Sequence, residues 1–401
     1  EKLMQEQQRR NVILIMDLAT MLFWSSLYAY VPYLSTYLNA IGIVASIIGY
    51  ISSSYGLAML FTRIPIGIWG DMIGRQKPFI FMGAALTTLS SLGMFLCTHT
   101  FSMVFFRFLS GVAAATWVSY ISLYSSYFPK ERTTRAVAAL NMYANLGRVM
   151  ASIIGAIVSK RFGYKAPFLA SFFIGAAGMV LCFFVTDIRD APQPSTEPER
   201  RMSVHKLLST LKERSLIVAC IFGAVVQFIS YATIYTFTNT FAQDIIGASQ
   251  FELGIMQAIV SVAGVVATFI LSTKLIDKLE DNTLIAVAFV VMTASTLAYP
   301  FCRNMYLLYC VNFMMGMGLG FGLTPFMSMS IKYVERSKRS TAMGVFQAVY
   351  SFGMTLGPIA MGYMVEYGGY LSAFLQLAAF IAMTGVAGFT ACRVARFAHT
   401  Q

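Results

Sequence analysis

The chain has 401 residues, of which 57% are hydrophobic and only 11% charged, less than half the roughly 25% charged share of a soluble globular domain. That much apolar surface exceeds what one soluble core can hide, because single cores stop growing near about 250 to 300 residues, so the chain reads as a membrane protein. The net charge of +12 comes from short basic clusters between apolar runs rather than a continuous stripe, which argues against a nucleic-acid surface, and the six cysteines are scattered with no CxxC or regular framework.

Residues 1–10 are polar and lead directly into a run long enough to cross a bilayer, with no short apolar segment and cleavage site, so the N-terminus is expected in the cytoplasm. Spanning helices need about 20 mostly apolar residues. Twelve such stretches are predicted, at 11–38, 43–66, 78–98, 102–127, 134–159, 166–187, 215–241, 250–273, 283–302, 305–332, 340–365 and 370–396. None alternates with period two, as a barrel strand would, so the predicted fold class is an all-α membrane protein.

Taken in order, the first helix carries Asp17, the one acid well inside a span, about 10 Å from the cytoplasmic end. Trp24 and Tyr28 follow at i+7 and i+11 on the same face. An ionised group there costs at least roughly 2.5 to 3.5 kcal/mol, so Asp17 reads either as a proton-binding carboxylate under an aromatic wall or as half of a permanent ion pair. The second helix ends with Arg63 and the polar turn GIWGDMIGRQK, Gly67 to Lys77; the fourth holds Arg107, Trp117 and Tyr120. In the fifth, Arg148 shares a face with Asn141 at i−7 and Ser152 at i+4, a polar stripe that lipid does not tolerate and that must face protein or a water-filled cavity. Arg148 is therefore a candidate anchor for a carboxylate or phosphate, or the partner of Asp17.

The stretch 188–214 is Pro-rich in its first half and then has the spacing of a short interfacial helix, so it reads as a cytoplasmic linker between an N-terminal bundle, 1–187, and a C-terminal bundle, 215–401. Beyond it, the seventh helix offers Gln227, Tyr231 and Thr238, the tenth Asn312, and the eleventh Gln347 and Tyr350. Each of these also reads as an ordinary bond between helices. The histidines His99, His205 and His399 form no HExxH, and there is no GxxxxGK[ST], so no metal, no cofactor, no ATP-driven step and no enzyme activity are expected.

Orientation follows from the bases. Lys160, Arg161, Lys165 and Arg303 fall on one side and Arg63, Arg107 and Arg148 within spans; all the others of the 29 lie in segments on the N-terminal side. Both termini are thereby expected in the cytoplasm, in a multi-pass protein of the plasma (inner) membrane. The two halves also resemble each other at an offset of about 206 residues: Asp71 falls on Asp277, Gly147 on Gly353, Gly163-Tyr164 on Gly369-Tyr370 and Phe168 on Phe374. Such a repeat about the membrane normal marks a transporter of two pseudo-symmetric six-helix bundles.

The motifs carry a family resemblance over essentially the full length. Gly67-x-x-Gly70-Asp71-x-x-Gly74-Arg75-x-Lys77 is similar to the loop motif between helices 2 and 3 of the major facilitator superfamily. Arg107-x-x-Ser110-Gly111-x-Ala113-Ala114-Ala115 resembles that family's helix 4 motif, and Gly353-x-x-x-Gly357-Pro358-x-x-x-Gly362 its glycine-proline signature, here in helix 11. The helix 5 counterpart, Gly147-x-x-x-Ala151-Ser152, lacks the second Gly and the Pro of the antiporter signature. The resemblance implies a monomeric secondary transporter working by alternating access, its cavity lined by helices 1, 4, 7 and 10, with Asp17 and Arg107 handling protons. It also implies a gate at Arg63, Gly67, Gly70, Asp71, Gly74 and Arg75, with Asp277 as its weaker copy. The favoured reading is export of a small organic, amphipathic or anionic solute; the alternatives are an organic-anion uptake or exchange carrier anchored at Arg148, and a transporter-like receptor that binds without transport.

Overall fold

The computed structural model describes residues 2–128, 133–187, 214–271, 281–332 and 339–400. Among these the regular structure is helical throughout. Eleven helical stretches are long and apolar enough to span a bilayer. The first ten are α1 Arg10–Ala40, α2 Ala45–Gly70, α3 Lys77–Leu96, α4 Thr100–Ser126, α5 Ala139–Phe162, α6 Ala166–Phe184, α7 Arg214–Ile246, α8 Gln250–Ala267, α9 Thr283–Phe301 and α10 Met305–Ser330. The last, Ala342–Thr390, has 49 residues, far more than one crossing needs. It breaks at Gly369, whose φ of 69° and ψ of 172° no helix contains, so it comprises two crossings, α11 before the glycine and α12 after it. Twelve crossings result among the described residues, as the sequence predicts. The linker 188–213 lies outside the described residues.

Two spans are interrupted for local reasons. In α1 the regular helix stops at Tyr28 and resumes at Val31, because the ring of Pro32 clashes with a carbonyl four residues back. In α4 the ladder breaks at Thr116, whose hydroxyl turns back to the Ala113 carbonyl at 2.7 Å. Two wider turns, Thr233–Phe237 and Ala242–Ile246, interrupt α7. Of the carbonyls there, that of Ile234 accepts the Asn239 amide at 3.3 Å and that of Thr236 accepts the Ser35 hydroxyl at 2.8 Å.

Packing divides the chain into two compact units. One runs to Val31 and resumes at Phe61, ending with α6; the other takes Pro32–Leu60 together with α7 to α12. In the first unit α1 lies against α5 and α6. Ser25 donates to the Gly147 carbonyl at 2.7 Å, and Ser26 and Ser171 each donate to the other's carbonyl at 2.8 and 2.6 Å. A side chain at Gly147 would strike the Met21 carbonyl, and one at Gly175 would meet the Ser26 and Thr88 hydroxyls at 2.7 Å. At the end where α3 begins, the Lys77 amide donates to Asp187 at 3.2 Å and Tyr127 to the Thr186 carbonyl at 2.8 Å. Burial, with Asp187 nearby, pushes the Tyr127 phenol up, so it remains a donor at neutral pH.

The second unit repeats the first unit's contact at Gly147. Gly353, the counterpart of Gly147, sits against the Ala224 carbonyl of α7, and Gly357 one turn on against that of Phe228. The signature continues on the other side of α11: the Pro358 carbonyl meets Gly49, and Gly362 meets the Ala45 carbonyl, both in α2. Gly357-Pro358 and its neighbours are thus packing surfaces for two helices. Overpacking costs about 1 to 3 kcal/mol, so Gly147→Val and Gly353→Val should each lower the thermal midpoint of purified protein by several degrees. Gly344→Ala, where a methyl meets nothing within 4 Å, should leave it unchanged or raised.

Candidate functional site

The first unit gathers most of the predicted residues into one cluster. Asp17 is 5% exposed. The hydroxyls of Tyr124 of α4 and Tyr143 of α5 lie close to its carboxylate, while Oδ1 has no hydrogen-bond partner among the described residues. Two turns further along α1 the aromatic wall begins. Trp24 packs on Tyr28 at 5.7 Å and edge-on to Trp117 at 5.3 Å. Trp117 stacks on Tyr120 at 5.8 Å, and Tyr120 lies 4.8 Å from Phe23. These rings are all buried, and the Thr20 and Ser119 hydroxyls among them are buried without a partner among the described residues.

The Arg148 guanidinium lies 4.1 Å from the Trp24 ring centre and 5.0 Å from that of Tyr28, well inside the distance at which an aromatic face attracts a cation. It donates to Asn145 at 3.3 Å, and its carbonyl accepts the Ser152 hydroxyl at 3.0 Å. The structure places Arg148 on the aromatic wall, and the hydroxyls of Tyr124 and Tyr143 lie beside the Asp17 carboxylate. Asn141 is exposed, and the amide that reaches Arg148 is Asn145, one turn closer.

Arg107 is elsewhere. It is 4% exposed, donates to the Tyr30 hydroxyl at 2.8 Å and to Ser110 at 3.4 Å, and lies over the Tyr30 ring. Tyr30 is 13 positions beyond Asp17 on α1, about 20 Å at 1.5 Å per residue. Arg107 thus ties α4 to the interrupted part of α1, well along that helix from Asp17.

At the Gly67–Lys77 turn the glycines divide their work differently from the expectation. A side chain at Gly67 would make only an ordinary contact with Val118, whereas one at Gly70 would meet the Gln76 side chain at 2.7 Å. Gly74 ends the helix with a φ of 65° and returns its N–H to the Gly70 carbonyl at 3.1 Å, a left-handed cap that a side chain would strain. Arg63 is buried and Arg75 exposed. The Asp71 side chain and Asp277 lie outside what is described, so the predicted latch has no geometry here.

In the second unit Tyr231 is buried between Tyr55 at 6.1 Å and Tyr235 at 4.8 Å. Gln227, Gln347 and Tyr350 are half-buried, with Tyr350 edge-on to Phe346. Asn312 is buried; its oxygen accepts Tyr299 at 3.2 Å and its amide donates to the Leu308 carbonyl at 3.0 Å. Tyr124, Tyr143 and Tyr55 are the residues that the sequence reading missed. Tyr124 had a signal, lying at i+4 from Tyr120 and i+7 from Trp117; Tyr143 and Tyr55 had none.

The sequence profile described as Major Facilitator Superfamily matches residues 16–305 and 286–397. The chain belongs to that superfamily. It is a transporter, not an enzyme. A multi-drug resistance efflux pump of Streptococcus pneumoniae is 25% identical over 362 residues, covering 87% of this chain and 88% of the pump. An uncharacterised MFS-type transporter of Methanocaldococcus jannaschii is 24% identical over 89% of this chain and 92% of its own length. Among solved structures, a bacterial homolog of the human lysosomal transporter Spinster, inward-facing and unoccupied, superposes with a TM-score of 0.80 at 16% identity over 96% of this chain and 97% of that one. The nucleoside transporter NupG superposes with a TM-score of 0.74 at 16% identity over 95% of this chain and 99% of that one. These likenesses bear out the all-α membrane fold.

The contact of Arg148 with Trp24 is measurable on its own. A double-mutant cycle of Arg148→Met and Trp24→Leu, read as thermal unfolding, should give a coupling of about 0.5 to 2 kcal/mol; strictly additive effects would show that the guanidinium does not rest on the ring.

Proposed function

We propose that this chain moves a small amphipathic organic solute across the plasma membrane by alternating access, driven by protons that bind at Asp17, with export the favoured direction. The observation that carries this reading is a buried carboxylate beside the hydroxyls of Tyr124 and Tyr143, two turns from a wall of Trp24, Tyr28, Trp117 and Tyr120. An ionisable group at membrane depth is costly and is retained for a task. A flat, partly apolar molecule suits the aromatic wall, whose rings offer area at low entropy cost. Arg148, seated on Trp24, contributes a charge to the same wall. The efflux pumps among the relatives support the export direction. The base asymmetry supports cytoplasmic termini, and the family supports a monomer.

In this mechanism a proton taken up by Asp17 from the trans side neutralises the carboxylate, which lets the first bundle rearrange while the solute leaves the aromatic wall. Return of the proton to the cytoplasm restores the charge and the solute-binding form. The gate at Gly67, Gly70, Asp71, Gly74 and Arg75 closes the cytoplasmic side in between.

Proteoliposomes with an acidic lumen, loaded externally with ethidium or fluorescein as planar aromatic probes, test this reading. Wild-type protein should accumulate a probe against its gradient. Asp17→Asn should abolish accumulation while leaving counterflow of the same probe intact. Undiminished accumulation by Asp17→Asn would remove protons at this site from the mechanism.

A further inference from the structure

The turn between α1 and α2, residues 41–44, lies at the opposite end of α2 from the Gly67–Lys77 turn, and a carboxylate from the second half of the chain holds each of its flanks. On one flank Asn39 donates to Asp244 Oδ1 at 2.8 Å, and Tyr370 donates to Asp244 Oδ2 at 2.8 Å, so both oxygens of that carboxylate are engaged. On the other flank the Ser46 amide, in the first turn of α2, donates to Glu366 Oε2 at 2.9 Å. That amide is one of the donors a helix start leaves unsatisfied, and an anion there also meets the positive end of the helix dipole. Neighbouring contacts reinforce the same seam: Ser35 to the Thr236 carbonyl at 2.8 Å, and Tyr50 with Tyr363, hydroxyl to hydroxyl, at 3.0 Å.

We propose that Asp244 and Glu366 form a latch that holds the 41–44 turn while both are ionised and lets it go when they are protonated from the face they occupy. All three carboxylate contacts place an N–H or O–H donor on a carboxylate oxygen. Bonds to a charged acceptor are about twice as strong as neutral ones, so protonation weakens each of them. Asp244 faces Tyr370 of α12 and the uncharged Asn39 of α1. Glu366 faces Ser46 of α2 and lies near Tyr363 of its own helix, which in turn contacts Tyr50 of α2 and Tyr367. Of the groups in these contacts only the two carboxylates change charge on mild acidification. In a protein driven by an acidic exterior the latch would open the side from which protons arrive, before any proton reaches Asp17.

The test is a distance measurement between nitroxides at Ile41→Cys and Leu371→Cys, two exposed positions, in full-length protein stripped of its native cysteines and held in nanodiscs. At about pH 8 a single short distance is expected. At about pH 4, where carboxylates take up protons, the ratio of long to short distances should be about fivefold higher. Asp244→Asn with Glu366→Gln keeps an acceptor oxygen at each flank but cannot be protonated, and should give the same ratio at both values. Asp244→Ala with Glu366→Ala should show the long distance already at about pH 8, and Asp17→Asn should keep the full response. A wild-type ratio that does not move, a response that survives the Asn/Gln pair, or one that Asp17→Asn abolishes would overturn the proposal. Because this readout involves no transported solute, it stands or falls separately from proton coupling at Asp17.

Discussion

Hydrocarbon offers no hydrogen bonds, and this constraint shapes the molecule from its helices to its site. A polar group inside a span has to find its partner on another helix, which requires the helices to approach closely. Glycine makes that approach possible. At Gly147 the backbone of α5 comes against the Met21 carbonyl of α1, and the neighbouring Ser25 donates to the Gly147 carbonyl. The same approach orients α1 so that Asp17 meets Tyr143 of α5 and Trp24 meets Arg148 of α5. One close contact between two helices thus sets both the acid and the cation of the candidate site.

The internal repeat has the same physical root. Gly353 in α11 stands where Gly147 stands in α5, and each meets a carbonyl of the first helix of its half. The halves have nevertheless diverged in what they place around that contact. The first half carries a carboxylate and a guanidinium. The second carries neutral groups at this depth, with Tyr231 stacked between Tyr55 and Tyr235 and Asn312 tied to Tyr299. The proposed chemistry is concentrated in one copy, while the other supplies aromatic surface and, at the 41–44 turn, two carboxylates.

The arginines show why residue type alone misleads. Arg107 and Arg148 both sit inside spans and both lie against aromatic rings of α1. Arg107 bonds the hydroxyl of Tyr30, at the point where Pro32 breaks the helix, and reads as a brace. Arg148 rests on the ring face of Trp24 beside the acid's end of the wall. Their difference lies in height along α1, which a helical wheel does not show.

Much of the architecture was legible in the sequence, because it rests on quantities local to the chain. Apolar runs of bilayer length define the crossings, the distribution of Lys and Arg argues the orientation, and a 206-residue offset reveals the two halves. Asp17, Trp24 and Tyr28 were recognisable as one face of one helix by spacing alone. The residues that complete the site come from other helices, and their placement depends on which helix packs where. Tyr143 faces Asp17 because α5 approaches α1 at Gly147, and Asp244 meets Asn39 across 205 positions. No periodicity encodes such pairs. Sequence determined the helices and their polar faces, since those follow from hydrogen bonding and apolar length within a segment. Tertiary structure alone decided which polar faces meet, since that is set by close packing between distant segments.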